Sequence, residues 1–299
     1  MSLILENVLL SAADGLVQSG DLIWFHFQKY HLDLSNTEET PTFGEHLRNI
    51  NTRITKGLPD PSKAFNLNGT YHLGISPHIY SYYHLLTDLL THLIDTPKHP
   101  VLVPKFIPVE FVKFLTESGF EVKVLPPEIF RIKKLFIPEM KIPNWNKKKV
   151  KKVKTFFDNI YPHETLPFYH NSIFKKKIYI SRKLAVKRHL TNEEEFLPIL
   201  EKHNFLKIYL EQLSIKEQVE LFRTASHVIG AHGAGLTNVL FAPSNLKILE
   251  IRPVISSGQF CFEKLFSLGW PNFKIIVPPQ VGTFILPKNL LEEVLIHWQ

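Results

Sequence analysis

The sequence predicts an α/β protein built from two successive units in which strands and helices alternate. In the first unit a strand over 101–103, a helix over 109–118 and a strand over 122–125 follow one another, an order typical of a parallel sheet with crossover helices. A second alternation begins with a strand over 177–180 and continues to the end of the chain. Lysine and proline are frequent over 139–170, and this composition indicates a boundary between the units.

The first unit begins with short predicted strands, followed by a helix with strong apolar periodicity. Residues 22–27 have the strongest strand pattern. Over residues 80–94 the apolar side chains recur at helical spacing, at Tyr83, Leu86, Leu89, Leu90 and Leu93. We therefore expect a Rossmann-like domain with extra N-terminal strands over 1–145, a basic linker over 146–172 and a second Rossmann-like domain over 173–299.

Capping patterns and apolar runs predict the elements of the second unit in turn. Thr191 with Glu194, and Ser214 with Glu217, have the spacing of capping boxes, which begin helices. Further strands are predicted over 205–210, 247–251 and 274–277, and further helices over 262–268 and 289–298. Strands and helices that alternate in this way again favour a parallel sheet.

The overall composition excludes several classes of protein. A chain of 299 residues, of which 44% are hydrophobic, can bury a large core. Its one cysteine, Cys261, excludes an internal disulfide framework and a cysteine-based metal site. The start of the chain lacks the basic flank of a secretory signal, and no apolar run is long enough to span a bilayer. We therefore expect a cytoplasmic protein.

The net charge of +7 comes largely from two lysine runs, within 147–154 and within 175–177. A solvated linker is our preferred interpretation of the first run. Peripheral contact with an anionic membrane surface is the second, because Phe156 and Phe157 follow the lysines and interfacial segments combine basic with apolar residues. Nucleic acid is third, and we expect no such partner, because no recognised nucleic-acid motif accompanies the lysines.

A glycine run after a short apolar strand is the most informative stretch of the chain. Gly230, Gly233 and Gly235 surround His232, and a helix-like segment follows at once. Glycine allows close approach of the backbone, and the first N–H groups of a helix attract an anion, so this order can bind a phosphate. The order of the glycines differs from the G-x-G-x-x-G fingerprint of dinucleotide-binding folds, which disfavours an NAD-type oxidoreductase.

Two charged residues at strand ends favour a nucleotide as the ligand of this run. Arg182 follows the strand over 178–180, and a guanidinium can pair with a diphosphate through two hydrogen bonds. Glu250 ends the strand that follows the glycine run, where a carboxylate can accept hydrogen bonds from ribose hydroxyls. Each residue alone is more simply a surface cation or half of an ion pair. Together, beside the glycine run, they predict a nucleotide site.

These residues resemble glycosyltransferase family 61, over roughly residues 70 to 270. In the second unit the resemblance is carried by Tyr179-Ile-Ser-Arg182, Arg188, Asn192-Glu-Glu-Glu195, Gln218, Phe222, Gly230-Ala-His-Gly-Ala-Gly-Leu-Thr-Asn238 and Glu250. In the first unit Tyr82-Tyr-His-Leu-Leu-Thr-Asp88 is similar to the family's Asn-(Phe/Tyr)-x-His-Trp-Leu-x-Asp motif. Two departures occur there, because Ser81 takes the place of Asn and Leu85 that of Trp.

The resemblance implies a GT-B-like architecture, in which two Rossmann-like domains face a cleft. It also implies an inverting transfer from a nucleotide-sugar, commonly a UDP-sugar, to a glycan or glycoconjugate acceptor. The acceptor is expected on the N-terminal domain and the nucleotide on the C-terminal one. The expected donor-binding residues are Arg182, Arg188, His232, Gly233, Ala234, Gly235, Leu236, Thr237, Asn238 and Glu250. No Asp-x-Asp motif is present, so we expect no metal cofactor, and cations with helix-end N–H groups would stabilise the leaving diphosphate.

An inverting single displacement needs one base for the proton of the acceptor hydroxyl. His84 is the first candidate, because histidine can act near neutral pH. Asp88 lies four residues on, on the same helix face, and either orients His84 or is itself the base. His232 is expected to contact the donor through phosphate or sugar. Asn238 can hold the loop instead of touching the ligand.

Three other functions stay open at this point. An enzyme-derived protein that binds a nucleotide-sugar or glycan with little or no catalysis is the main alternative, motivated by Ser81 and Leu85. An NAD-type oxidoreductase and a lysine-mediated nucleic-acid binder are less favoured. The acceptor can be a growing polysaccharide, a lipid-linked sugar or a protein, and a cytoplasmic enzyme would suit bacterial or viral polysaccharide biosynthesis.

Overall fold

The computed structural model divides the chain into two compact units, 1–142 and 143–299, each with its own sheet. The α/β class predicted from the sequence is confirmed. No helix among the described residues is long and apolar enough to cross a membrane. The described residues are 3–13, 15–19, 22–25, 28–31, 61–75, 79, 81–138, 145–162, 176–185, 188–253, 261–278 and 284–298.

The first unit contains a mixed sheet of eight strands, in the order β4-β3-β2-β1-β8-β5-β6-β7. Its strands are β1 (Leu3–Ser11), β2 (Leu16–Ser19), β3 (Leu22–Phe25), β4 (Gln28–His31), β5 (Phe65–Leu73), β6 (Val101–Pro104), β7 (Val122–Leu125) and β8 (Ile129–Ile137). Strands β1 to β4 form an antiparallel meander, and β1 joins β8 antiparallel. Strands β8, β5, β6 and β7 pair in parallel.

In the parallel part of this sheet, strands that follow β5 in the chain lie on both sides of it. Strands β6 and β7 lie on one side of β5 and β8 lies on the other, which makes the carboxyl ends of β5 and β8 a topological switch point, where ligands of α/β sheets commonly bind. The chain leaves β5 into a helical segment made of α1 (Tyr82–His84), a π-helix (Leu85–Leu90) and α2 (Thr91–Ile94). Helix α3 (Val109–Glu117) connects β6 to β7.

A buried histidine pair lies beside β5 in the first unit. His72 Nε2 is 2.7 Å from the carbonyl oxygen of Pro97, and His72 Nδ1 is 3.0 Å from His92 Nε2. Because a carbonyl only accepts, His72 donates from Nε2 and accepts at Nδ1 from His92. Burial lowers the pKa of His72, and burial together with the neighbouring His72 lowers the pKa of His92 to about 3. Both rings are therefore neutral at physiological pH.

The second unit contains a sheet of five strands, all paired in parallel, in the order β10-β9-β11-β12-β13. The strands are β9 (Lys176–Ile180), β10 (Phe205–Ile208), β11 (Ala225–Ala231), β12 (Lys247–Ile251) and β13 (Phe273–Ile276). The helices are α4 (Lys147–Ile160), α5 (Glu193–Lys202), α6 (Ile215–Arg223), α7 (Cys261–Phe266) and α8 (Lys288–Ile296), with 3₁₀-helices over Leu210–Gln212 and Ala234–Phe241. This alternation agrees with the sequence prediction.

The second sheet also has a topological switch point, between β9 and β11. Strand β10 lies on one side of β9, whereas the chain next adds β11 on the other side. Ile180, the last residue of β9, is in register with Gly230 of β11. Arg182 and the glycine run therefore leave the sheet side by side, at the place where α/β folds bind ligands.

Of the two predicted capping boxes, one is confirmed and the other is wrong. Ser214 Oγ accepts from the backbone N–H of Glu217, and Glu217 accepts from that of Ser214, at the start of α6. Helix α5 instead has Asn192 as its N-cap, and Asn192 uses its side chain to bind the backbone of Leu286. The carboxylate of Glu194 pairs with Lys183 at 2.7 Å, so it does not return to the helix end.

The first lysine run forms helix α4, within the segment where we expected a linker. Asn146 caps the helix, because its Oδ1 accepts from the N–H of Lys149 at 2.9 Å. Val150, Val153 and Phe157 make its buried face, and the ring of Phe157 lies 4.5 Å from that of Phe241 in the 3₁₀-helix after the glycine run. Residues 163–172 of the expected linker, and Lys175 of the second run, lie outside the described residues.

Candidate active site

Arg182 lies directly against Gly233 at the switch point of the second sheet. A Cβ added to Gly233 would be 2.6 Å from Arg182 Cζ, closer than real atoms approach. Gly233 has a φ of 172°, an extended value that any residue can adopt. A larger residue at position 233 would therefore have to displace the guanidinium of Arg182, although its backbone conformation would be unstrained. The structure thus brings together two of the three sequence features that predicted a nucleotide site, the glycine run and Arg182.

Arg182 and Arg188 are electrostatic neighbours. Burial lowers the pKa of Arg182 first, and the cation of Arg188 lowers it further, while Glu211 opposes both. A guanidinium nevertheless stays protonated in a protein. Arg188 also has a φ of 61°, a left-handed conformation that costs a non-glycine residue about 1 kcal/mol or more and that is enriched at functional sites. An anion between the two guanidiniums would relieve their repulsion.

The glycine run continues into the 3₁₀-helix Ala234–Phe241, where the sequence predicted a helix-like segment. The N–H of Leu236 donates to Gly233 O at 3.0 Å, so the N–H groups of Ala234 and Gly235 precede the first internal bond of this helix. A Cβ on Gly235 would lie 2.6 Å from Leu210 Cδ1. This end of the helix, with its partial positive charge, follows directly from the loop that contacts Arg182.

Three of the predicted donor-binding side chains, those of Leu236, Thr237 and Asn238, are buried beneath the loop. Asn238 is 0% exposed, and its Nδ2 donates to Gln218 Oε1 at 2.8 Å and to the Gly235 carbonyl at 3.2 Å. Gln218 Nε2 in turn donates to the carbonyls of Leu210 and Leu213. These side chains shape the loop from the inside, which for Asn238 is the expected alternative to contact with the ligand.

Glu250, which we expected to accept from ribose hydroxyls, is 0% exposed. Its Oε1 accepts from His232 Nδ1 at 2.5 Å and from Arg252 Nε at 3.2 Å, and its Oε2 accepts from Arg252 Nη2 at 2.9 Å. Burial acts to raise the pKa of Glu250, but these bonds outweigh burial, and its pKa is lowered. Glu250 is therefore an ionised carboxylate whose two oxygens are already occupied inside the protein.

Glu193 was not predicted as a site residue, although it stabilises the end of β9. Its buried carboxylate accepts from Tyr179 Oη at 2.9 Å and from Ser181 Oγ at 2.8 Å, and it pairs with Lys207 at 2.7 Å. Burial first, and Glu193 second, raise the pKa of Tyr179. This network fixes the residue that precedes Arg182. The sequence signal that could have indicated this network is the presence of two polar side chains, Tyr179 and Ser181, at the end of an apolar strand.

The first unit places His84 and Asp88 in direct contact. His84 Nδ1 is 2.7 Å from Asp88 Oδ2, and Asp88 Oδ1 accepts from Thr87 Oγ1 at 2.8 Å. Both oxygens of Asp88 are thus engaged, and Asp88 lies in a π-helix, a form that recurs at functional sites, whose N-cap is His84. Leu85, at the position where the family motif has Trp, is 0% exposed. That departure therefore falls on a core position.

Comparison with known proteins gives one family and several partial relatives. The family described as Glycosyltransferase 61 matches residues 82–249. The Beta-1,2-xylosyltransferase RCN11 of Oryza sativa subsp. japonica is 38% identical over 74 residues, which are 22% of this chain and 14% of that protein. The EGF domain-specific O-linked N-acetylglucosamine transferase of Drosophila melanogaster is 37% identical over 76 residues, which are 24% and 14% of the two chains. A Beta-1,2-xylosyltransferase of Arabidopsis thaliana is 46% identical over 48 residues, 16% and 9% of the two chains.

The matches to individual relatives are short, and each spans a small part of the relative. The family match is longer and covers more than half of this chain. It includes the contact between His84 and Asp88 in the first unit and the contact between Arg182 and Gly233 in the second. The protein is a member of glycosyltransferase family 61.

Proposed function

We propose that the protein is an inverting glycosyltransferase that moves a sugar from a UDP-sugar to a hydroxyl of a glycan or glycoconjugate, without a metal ion. The observation that carries this proposal is the contact of Arg182 with Gly233 at the switch point of the second sheet. Cationic and N–H donors are brought together there. Membership of the family supports the same reaction class.

The leaving group of this reaction is a nucleoside diphosphate, whose negative charge grows as the bond to the sugar breaks. Arg182 and Arg188 supply fixed positive charge, and the N–H groups of Ala234 and Gly235 supply aligned donors. Donors that are already oriented stabilise the developing charge without reorganisation. This set can replace a metal ion as the electrostatic partner of the diphosphate.

His84 is the base in this proposal, and Asp88 is its positioning residue. Asp88 accepts from Nδ1–H of His84 and is itself held by Thr87, and a neutral imidazole with its proton on Nδ1 has its basic lone pair on Nε2. Nε2 takes the acceptor hydroxyl's proton, and the acceptor oxygen attacks the anomeric carbon. The bond from that carbon to the diphosphate breaks, UDP leaves with the electron pair, and the anomeric configuration inverts.

A screen of UDP-sugars for UDP release, with and without added glycans, tests this function. UDP-xylose and UDP-N-acetylglucosamine come first, because the partial relatives are named for xylose and N-acetylglucosamine. Arg182→Ala is the negative control. Lys183→Ala is its matched control, because it removes an adjacent exposed cation that pairs with Glu194. Stabilisation by NAD and not by UDP in a thermal-shift assay would exclude the transferase.

The alternative function is a protein of the same fold that binds a nucleotide-sugar or glycan with little or no catalysis. The departures at Ser81 and Leu85 motivate it; that at Leu85 falls on a core position, which bears on packing more than on ligand contact. The alternative gains if UDP binds and no UDP-sugar is hydrolysed or transferred. The GT-B-like cleft stays a prediction of the family resemblance, and X-ray scattering with UDP-sugar and acceptor tests its closure.

Peripheral contact with an anionic membrane is a further part of the proposal. The outer side of α4 presents Lys147, Lys148 and Lys151, all exposed, and its opposite face is buried in the second unit. Basic side chains near an anionic leaflet contribute about 1 kcal/mol each. Cosedimentation with phosphatidylserine vesicles, but not phosphatidylcholine vesicles, would support it. Binding that survives replacement of these three lysines by glutamate would contradict it.

A further inference from the structure

We infer that Glu250 is a positioning residue for His232, and that His232 contacts a diphosphate oxygen of the donor through Nε2 alone. The inference rests on the proposed function for the existence of a donor. It changes the role expected for Glu250, which then recognises no ribose. It also assigns to His232 one of the two contacts that the sequence left open, that with phosphate.

The ring of His232 is fixed in place by three contacts. Its backbone N–H donates to the Ile251 carbonyl at 2.8 Å, its Nδ1 lies 2.5 Å from Glu250 Oε1, and the ring meets that of Phe262 edge to face at 5.1 Å. Among the described residues the structure gives Nε2 of His232 no hydrogen-bond partner. Nε2 is therefore the nitrogen that can serve a ligand, one residue before the glycine against which Arg182 packs.

Glu250 cannot reach a ligand without breaking its own contacts. It is fully buried on β12, and Arg252 donates to both of its oxygens. Arg252 is held in turn by Glu263 of α7, 3.3 Å away. A carboxylate this constrained acts through the group it binds. It fixes the proton of His232 on Nδ1 and so sets the orientation of the ring.

The chemistry of a phosphate contact follows from this geometry. An imidazole that carries protons on both nitrogens donates Nδ1–H to Glu250 and Nε2–H to an anion. Charge-assisted bonds of this kind are stronger than neutral ones. The contact needs only the diphosphate, and neither ribose nor base takes part. A ribose contact by Glu250 would need the ribose, so a ligand that lacks ribose distinguishes the two roles.

The first experiment compares UDP with inorganic pyrophosphate as calorimetric ligands of the Glu250→Gln variant. We expect both affinities to fall by the same factor, about tenfold, because the variant loses the carboxylate that orients the His232 ring, and that ring acts at the shared diphosphate. A ribose contact would weaken UDP and leave pyrophosphate unchanged, and that result overturns the inference. Glu263→Gln is the matched control, because Glu263 also binds Arg252 but does not touch His232, and we expect it to bind both ligands as the wild type does.

The second experiment replaces His232 itself and so does not depend on the folding of the Glu250 variant. Glutamine places its amide nitrogen near the position of Nε2, whereas asparagine places it near that of Nδ1. We expect His232→Gln to bind pyrophosphate at least about fivefold more tightly than His232→Asn. Equal affinities, or tighter binding by the asparagine variant, would show that Nε2 is not the ligand contact.

A third measurement needs no ligand. Nitrogen-15 NMR of the histidine rings should show His232 protonated on Nδ1 in the wild type, and that resonance should move in Glu250→Gln but not in Glu263→Gln. An unprotonated Nδ1 overturns the positioning role. If wild-type protein binds neither UDP nor pyrophosphate, the donor contact of His232 is wrong. If it binds both and transfers no sugar, the proposed function fails and the inference stands.

Discussion

The guanidinium of Arg182 occupies the space next to Gly233 that any larger residue at that position would need. Arg182 follows β9 and Gly233 follows β11, and these adjacent strands pair in parallel. The backbone conformation at position 233 does not require glycine, so a side chain placed there would act on the Arg182 guanidinium. The contact thus supplies a direct way to test the donor site without removing a charge.

Gly233→Ala should weaken UDP binding by about tenfold or more, because the new methyl displaces the guanidinium from the diphosphate site. Calorimetric titration with UDP measures the effect. Gly269→Ala is the matched control, since no atom lies within 4 Å of a Cβ at that position. Wild-type affinity in a folded Gly233→Ala protein would remove Arg182 from the proposed site.

Arg182→Ala should weaken UDP binding more strongly than Arg188→Ala. Arg182 is the more buried of the two and contacts the glycine run directly, whereas Arg188 is exposed. A charge-assisted bond in a less exposed place is screened less by water. Titrations at two salt concentrations should show the larger salt dependence for the bond made by Arg188. The reverse order of affinities would make Arg188 the main diphosphate contact.

His84→Ala should leave UDP affinity nearly intact and lower the rate of transfer by about 10² to 10⁴, the usual contribution of a general base. Asp88→Asn should retain part of the activity, because asparagine can still accept from Nδ1–H of His84 while the charge is lost. Initial rates with the UDP-sugar found in the screen measure both. Full transfer by His84→Ala would pass the role of base to Asp88.

Thr87→Val should lower the transfer rate by about tenfold or more, because it removes the hydrogen bond to Asp88 Oδ1 and keeps the side-chain shape. Such a bond contributes about 1.5 to 3 kcal/mol when its partner is charged. Thr116→Val is the control, since Thr116 donates only to the Val112 carbonyl on α3. A pH–rate profile that moves in Thr87→Val but not in the control would identify positioning of the dyad.

Stability should fall with acid because of the histidine pair in the first unit. The pKa of His92 is about 3 in the folded protein, below the ordinary value of 6.5 that the unfolded chain has. The pair's contribution to the free energy of unfolding is complete above pH 6.5. It is lost as the pH falls towards 3, at up to about 1.4 kcal/mol per pH unit for His92. Urea unfolding at pH 7, 6 and 5 measures it. His92→Gln should show a flatter dependence, and an unchanged slope would exclude His92 as the cause.

The sequence predicted much of this fold because the signals are local. The apolar runs that became β9 to β12 and the capping box of Ser214 involve residues close together in the chain. The capping box of Thr191 failed because Glu194 has a better partner, Lys183, on another segment. The sequence favours a linker at the lysine run, where the structure has a helix, because the charges obscure the helical spacing of Val150, Val153 and Phe157.

By itself, the sequence determined the α/β class, the family and the residue types of the site, since these depend on short motifs and their spacing. Only the tertiary structure decided which of those residues touch. The register of parallel strands puts Arg182 beside Gly233 and puts Glu250 beneath His232, across large distances in the chain. A carboxylate such as that of Glu250 can bind ribose hydroxyls, but Glu250 is buried, and His232 and Arg252 already donate to its oxygens. Spacing can suggest such a carboxylate, whereas its availability depends on packing.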